Sequence, residues 1–302
     1  MTEALVTETA AGAPELPRRP FRLARNRSRS LRPWYRITPL FIGMVLVAFL
    51  VLVAVLAPVI APHDPIQQNL TAILQPPSAQ HWLGTDKVGR DVFSRLIYGA
   101  RIDLRVGALA VIIPFVVGSV LGAVSGYFGG VIDAVIMRIV DVFFAFPFYV
   151  LVIALVYVLG SGERAIYLAI AAVSWVSYCR IVRAEVLVAK NQDYVVAARL
   201  GGLSHARIIG GHILRNVIAQ AVVYAMSDIV LDILAIVTLG YLGLGIQPPA
   251  PDWGGMIIDG QPFITTQWWL STVPGLAVVF TGLALSLTGD GLAELLAPER
   301  RR

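Results

Sequence analysis

Four stretches of this 302-residue chain, Ile37–Pro62, Val106–Ile132, Val142–Gly162 and Gln261–Gly289, contain no Asp, Glu, Lys or Arg. A helix needs about 20 apolar residues to cross the hydrocarbon of a bilayer, so each stretch is long enough to span one. A shorter run, Ala165–Cys179, and a run from Val217 to about Ile246 interrupted by Asp228 and Asp232 complete the set. The expectation is an all-α integral membrane protein with six transmembrane helices. They are placed at about 38–60, 106–130, 142–161, 165–182, 217–246 and 270–289, within a membrane domain of residues 37–298. Composition agrees: 14% of residues are charged, against about 25% in soluble domains.

The ends and loops set the expected orientation. Residues 1–36 form a Pro/Arg-rich tail with eight arginines and no apolar periodicity, which predicts disorder or a membrane-surface location. Arginines ahead of the first span place the N-terminus in the cytoplasm. The first run is too long for a secretory signal and exits through Pro58, Pro62 and Pro65, so it reads as an uncleaved span. Residues 180–215 carry six cations against two anions, fitting a cytoplasmic loop, and four crossings from an inside start lead there too. The tail 299–302 returns to the cytoplasm.

Between the first two spans, Val92, Phe93, Leu96, Ile97 and Ala100 recur at helical spacing, predicting an amphipathic helix at the interface. Gly118, Gly122 and Gly126 recur every four residues and bare one helix face for close packing. Arg138 lies three residues before Asp141 and five after Asp133 and is expected to pair with one of them. Trp253, Trp268 and Trp269 suit the outer headgroup level. The one cysteine, Cys179, rules out an intrachain disulfide and a multi-cysteine metal site, and reads as a small apolar filler.

Catalysis finds no footing. The four histidines are scattered, His63 and His81 on the outer side and His205 and His212 on the inner, so no four-histidine metal site forms. Neither lysine, Lys87 or Lys190, follows a glycine, so there is no P-loop to hold ATP. The arginines cluster beside apolar runs, which speaks against nucleic acid as a partner. Asp228 and Asp232 share one face of the fifth helix. Acids at membrane depth line a path or brace the bundle, and both readings stay open.

The segment Tyr194–Arg215 is a basic, glycine-punctuated island. Ala197 and Ala198 leave a helix face poor in side chains, Gly201-Gly202 ends that helix, and Ser204 caps a second one over His205–Leu214. The product is an elbow whose residues include Arg199, His205 and Arg207. It either seats in a groove of a soluble partner or packs on its own spans, and the residues alone leave both open.

The island resembles the cytoplasmic loop of ABC-importer permeases, Glu-Ala-Ala-x3-Gly-x9-Ile-x-Leu-Pro. Ala197, Ala198, Gly202 and Leu214 match; Val196 stands for Glu, His212 for Ile and Arg215 for Pro. The run His81–Arg95, with Gly84, Thr85, Asp86, Gly89, Arg90, Asp91, Ser94 and Arg95, is similar to the external signature of dipeptide/oligopeptide/nickel permeases of the C-subunit type. Tyr241–Met256 and Leu287–Glu294 resemble the same family's loop after span five and its C-terminal ending. The resemblance implies a type I ABC-importer permease with a cytoplasmic coupling helix, in a prokaryotic plasma membrane, with both termini inside. It also implies a translocation path shared with a second homologous permease, for dipeptides, oligopeptides or a similar small solute. Two ATPase subunits would hold ATP and Mg²⁺, an extracytoplasmic binding protein would deliver solute, and this chain would bind no cofactor or metal. An ion-coupled secondary transporter using Asp228 and Asp232 is the competing expectation.

Overall fold

The computed structural model describes residues 33–296, with side chains from residue 38. The Arg-rich segment up to residue 32 and the tail 299–302 lie outside the described residues. Helix α1 (Pro33–Val55) starts inside the expected tail and is followed by a short α2 (Ala57–Ile60). After an irregular segment come α3 (Val92–Ala110), α4 (Ile112–Phe128), α5 (Gly130–Phe144), α6 (Phe148–Leu159) and α7 (Glu163–Ala189). Then follow α8 (Asp193–Leu200), α9 (His205–Arg207), a π-helical stretch Ile208–Ile213, α10 (Leu214–Tyr241), α11 (Trp253–Gly260) and α12 (Trp269–Leu296). Among the described residues there is no β-strand beyond an isolated bridge between Thr85 and Asp91.

Close backbone approach holds the long helices together. A Cβ on Gly118, Gly122 or Gly126 would collide with the carbonyl oxygens of Trp175, Cys179 and Arg183, so the glycine stripe of α4 lies directly on the backbone of α7. Gly43 of α1 faces Thr288 of α12, and Gly291 of α12 faces Leu40 of α1, in the same manner. Lipid offers apolar side chains no reason to leave it, so packing at small residues is what makes helices associate there. Buried aliphatic clusters fill the remaining gaps. One joins α4, α7, the elbow and α10 through Val182, Ile208, Ile213 and Ala221, and another joins α3, α6, α7 and α10 through Val106, Val156, Ile170 and Ile236.

Several expectations need correction. The expected interfacial helix is the start of α3, and Val92–Phe128 is apolar and long enough to count as one candidate span. Its apolar face meets α11 and α12 rather than lipid: Val92 and Ala100 share a core with Trp253, Met256 and Leu270. Trp253 is only 1% exposed, its indole donating to the Leu96 carbonyl and its backbone N–H to Asp103, so it is not a headgroup anchor; Trp268 remains exposed. The expected span 142–161 is broken instead of straight, α5 and α6 meeting at 87°. Pro147 is the N-cap of α6, and the clash of its ring with the preceding residue disfavours helix there, so α5 stops before it. The expected partner of Asp133 and Asp141 is displaced. Arg183 of α7 binds Asp133 with two bonds of 2.5 and 2.6 Å, and Arg180 reaches Asp141 at 2.6 Å.

Candidate functional site

The elbow begins where α7 ends. Lys190 Nζ donates to the Gly126 carbonyl at 2.8 Å, fastening that end to the end of α4. Helix α8 then closes with Leu203 N–H on Ala198 O at 3.2 Å and Gly202 N–H on Arg199 O at 3.1 Å. This pair of bonds needs a left-handed residue between helix and exit, and Gly202 supplies it at φ +74°. Ser204 occupies the next cap position but its side chain makes no capping bond. The second limb is therefore not a separate capped helix. Three α-helical residues pass through the π-helical Ile208–Ile213 into α10, giving one continuous candidate span from His205 to Tyr241. Arg215 keeps the backbone N–H that a proline would lack, which suits an unbroken helix.

The two alanines divide their roles. Ala198 is buried with Val195 and Ile208 in the protein's own core, whereas Ala197 is exposed. The exposed tip comprises Val196, Ala197, Arg199, Leu200, Gly201, Gly202, Ser204, His205 and Arg207. Leu200 is 84% exposed, a large apolar side chain standing out at the tip. Sequence reasoning missed what seats the elbow. The Tyr127 hydroxyl lies 2.8 Å from His205 Nδ1, the His205 ring packs on Tyr127 and Phe128, and Arg199 lies over the Tyr127 ring at 5.5 Å. The only available signal was the position of Tyr127 one residue beyond the glycine stripe.

At the other end of α3–α4 the His81–Arg95 run forms a buried knot. Asp86 accepts from the backbone N–H groups of Val88 and Arg90 at 3.0 and 2.9 Å and from Arg90 Nε at 2.6 Å, with Arg95 Nε 3.7 Å away. Arg90 and Lys87 both reach Asp259 of α11, and Arg95 donates to the carbonyls of Pro65 and Pro249. Thr85 donates to the Ala72 carbonyl and accepts from Gln75 N–H. Asp91 caps α3 by accepting from Ser94 N–H and Oγ at 2.8 and 2.7 Å. Gly84 and Gly89 sit at φ +71° and +76°, pressed against the backbone of Gln75 and Asn69. These eight residues are brought together as scaffold, tying the 63–91 segment to α11 and the loop after α10.

Of the acid pair, Asp228 faces the bend. Asp228 accepts from the Tyr178 hydroxyl at 2.7 Å and lines a cavity of about 320 Å³ together with Phe143, Phe144, Phe146, Tyr149 and Ser174. Asp232, one turn on, is 0% exposed, and neither carboxylate oxygen has a partner among the described residues. The aromatic lining comes from the broken α5–α6 pair, which no single-span reading contained.

Comparison with known proteins places this architecture. Residues 118–302 match the family described as binding-protein-dependent transport system inner membrane component, and residues 39–77 match the N-terminal transmembrane domain of oligopeptide transport permease C. The chain is 42% identical over 255 residues to a probable D,D-dipeptide transport system permease protein of Escherichia coli, covering 84% of this chain and 86% of that protein. It is 41% identical over 261 residues to a dipeptide transport system permease protein of Bacillus subtilis, covering 86% and 82%. A dipeptide transport system permease protein of Haemophilus influenzae is 40% identical over 267 residues, covering 86% and 90%. These are transport subunits rather than enzymes, and the ion-coupled secondary transporter finds no support among them. The chain belongs to the inner-membrane permeases of binding-protein-dependent ABC transport systems.

Proposed function

We propose that this chain is one of two permease subunits of an ATP-driven importer of dipeptides or oligopeptides. It pairs with a homologous permease, carries an ATPase on its elbow, and receives solute from an extracytoplasmic binding protein. ATP and Mg²⁺ reside on the two ATPase subunits, in keeping with the lack of a Gly-Lys-Ser/Thr sequence here. The names of the relatives support the peptide class. The positive charge of residues 180–215 supports a cytoplasmic elbow, with both termini on that side.

One observation carries the coupling role. The exposed second limb of the elbow, which carries His205 and Arg207, is continuous, through one helix from His205 to Tyr241, with the segment that bears Asp228 and Asp232. Such a helix is about 55 Å long at 1.5 Å per residue. A push on the second limb, at His205 or Arg207, is carried along this helix to the segment beside the cavity. ATP binding draws the ATPases together, the elbows follow, and the spans turn outward; hydrolysis resets them. Asp228, which lines the aromatic cavity, offers a carboxyl group to a polar group on the moving solute.

The test is uptake of a labelled dipeptide by the reconstituted complex in proteoliposomes. The expected result is uptake that requires ATP on the elbow side and the binding protein on the other, and that ignores proton and sodium gradients. Gradient-driven uptake without ATP overturns the reading.

A further inference from the structure

Two histidines and a carboxylate converge beside the knot without taking part in its arginine network. His81 Nδ1 lies 2.8 Å and His63 Nδ1 3.7 Å from the same oxygen, Asp91 Oδ1. One ligand atom from each of the three lies within 4.8 Å of the others. The imidazoles face each other at 4.7 Å between centroids with their planes inclined by 33°, so both Nδ1 atoms are presented to the carboxylate. We propose that His63, His81 and Asp91 bind a first-row divalent transition cation of the zinc class, with solvent completing the coordination.

The donor set is that of such a cation, two imidazole nitrogens and one carboxylate oxygen. Around a tetrahedral ion with bonds of about 2.0–2.1 Å, ligand atoms stand roughly 3.4 Å apart. The two distances to Asp91 Oδ1 bracket that value and ask for shifts of about half an ångström along those edges, and the two imidazole nitrogens, within 4.8 Å of each other, close toward the ion. His63 has room for its shift, being 41% exposed, and its open side gives the ion and its water a way in.

The remaining atoms fix the ligands in advance. Asp91 Oδ2 is held by Ser94 N–H and Oγ, and that same Oγ accepts from the His63 backbone N–H at 3.2 Å. His81 sits in a turn in which its carbonyl accepts from Ser78 N–H at 2.8 Å and Gly84 N–H at 2.9 Å. Outer hydrogen bonds of this kind orient ligands and raise metal affinity. Charge points the same way. Arg90 and Arg95, on either side of Asp91 in the chain, are turned to Asp86. Among the described residues the ion-pair partners of Asp91 are these two histidines. With the imidazoles neutral the cluster carries one negative charge. The cation takes the place of the proton between His81 Nδ1 and Asp91 Oδ1; that proton passes by way of solvent to Nε2 of the same ring, so both imidazoles stay neutral, each with its one proton on Nε2 and its Nδ1 lone pair free for the ion.

The test uses the full-length chain in detergent, purified without a polyhistidine tag and stripped with a chelator. It is titrated with Co²⁺, whose visible absorption reports coordination, and then with Zn²⁺ as competitor. The expected result is saturable binding of one Co²⁺ per chain, displaced by Zn²⁺, with affinity reduced about tenfold or more in Ser94→Ala and further in His63→Ala and His81→Ala. Zn²⁺ should raise the melting temperature of the wild type and leave that of His63→Ala unchanged. Absence of stoichiometric binding, or binding undiminished in His63→Ala, overturns the proposal and leaves the His81–Asp91 contact as a structural hydrogen bond. His63 is partly exposed, so its alanine variant decides the matter even if His81→Ala does not fold.

Discussion

The Tyr127 hydroxyl and His205 Nδ1 meet at 2.8 Å, joining the last turn of α4 to the first residue of the elbow's second limb. The contact spans 78 positions of sequence and fixes the angle at which the tip leaves the bundle. A hydrogen bond of this type contributes about 1 kcal/mol net. Tyr127→Phe is expected to keep the ring stack, lose the bond, and speed amide exchange in residues 200–206 about fivefold. Hydrogen exchange by mass spectrometry checks this, and unchanged protection would show that the bond does not seat the elbow.

The contact of α4 with α7 is predicted to be intolerant of a single methyl group. A Cβ at Gly122 overlaps the Cys179 carbonyl, whereas one at Gly275 of α12 meets nothing within 4 Å. Gly122→Ala should cost about 1–3 kcal/mol through overpacking. Gly275→Ala should be neutral or stabilise by a few tenths of a kcal/mol to about 1 kcal/mol, because alanine is the better helix former. Thermal unfolding of the two variants in one detergent provides the comparison.

How much was legible follows from the range of the interaction. The apolar runs and the glycine stripe are local patterns, and they led to helices and to the close packing of Gly118, Gly122 and Gly126. The exchange of Arg138 for Arg183 and Arg180 as partners of Asp133 and Asp141 was not legible, because α7 lies about 40 to 50 positions away in sequence. The bend at Pro147 was half-visible. Proline signals a break, but the uncharged run passes through it without interruption. Trp253 misled because its composition fits a headgroup anchor, while its burial depends on Gly99 and Asp103 of a distant helix. For the elbow, Gly201-Gly202 correctly marked the end of α8. The missing break before α10 was hidden because Ser204 has the identity of a cap without making the bond.

The knot around Asp86 should behave as a unit. Asp86→Ala leaves the buried Arg90 and Arg95 without their nearest carboxylate, and stranding a buried charge costs about 3–5 kcal/mol. Adding Arg90→Met to Asp86→Ala should recover part of the loss, since one of the stranded charges is removed. A double variant no more stable than the single would show that packing, not charge, dominates here.

Asp252 gives the fold a pH dependence of defined sign. Burial raises its carboxyl to about 6, against the opposing pull of the Gly255 N–H bond and of Arg95. A carboxyl raised above its unfolded value of about 3.9 stabilises below that pH, and the contribution is lost as pH climbs through 6. The expected loss is up to about 3 kcal/mol between pH 4 and pH 7. Asp252→Asn keeps a good cap for Gly255 N–H and should flatten this part of the profile. Melting temperatures of both proteins across that range, taken in the same buffer, separate this group from the rest.

The central claim is that the elbow tip transmits the ATPase stroke, and Leu200 tests it most directly. It is 84% exposed, so Leu200→Glu removes a protruding apolar contact while touching nothing inside the protein. The measurement is co-purification of the ATPase subunits with the permease pair, with ATP-driven peptide uptake recorded on the same preparation. Loss of the ATPases and of uptake at an unchanged melting temperature is the predicted result; ATPases retained with uptake at the wild-type rate would contradict the account.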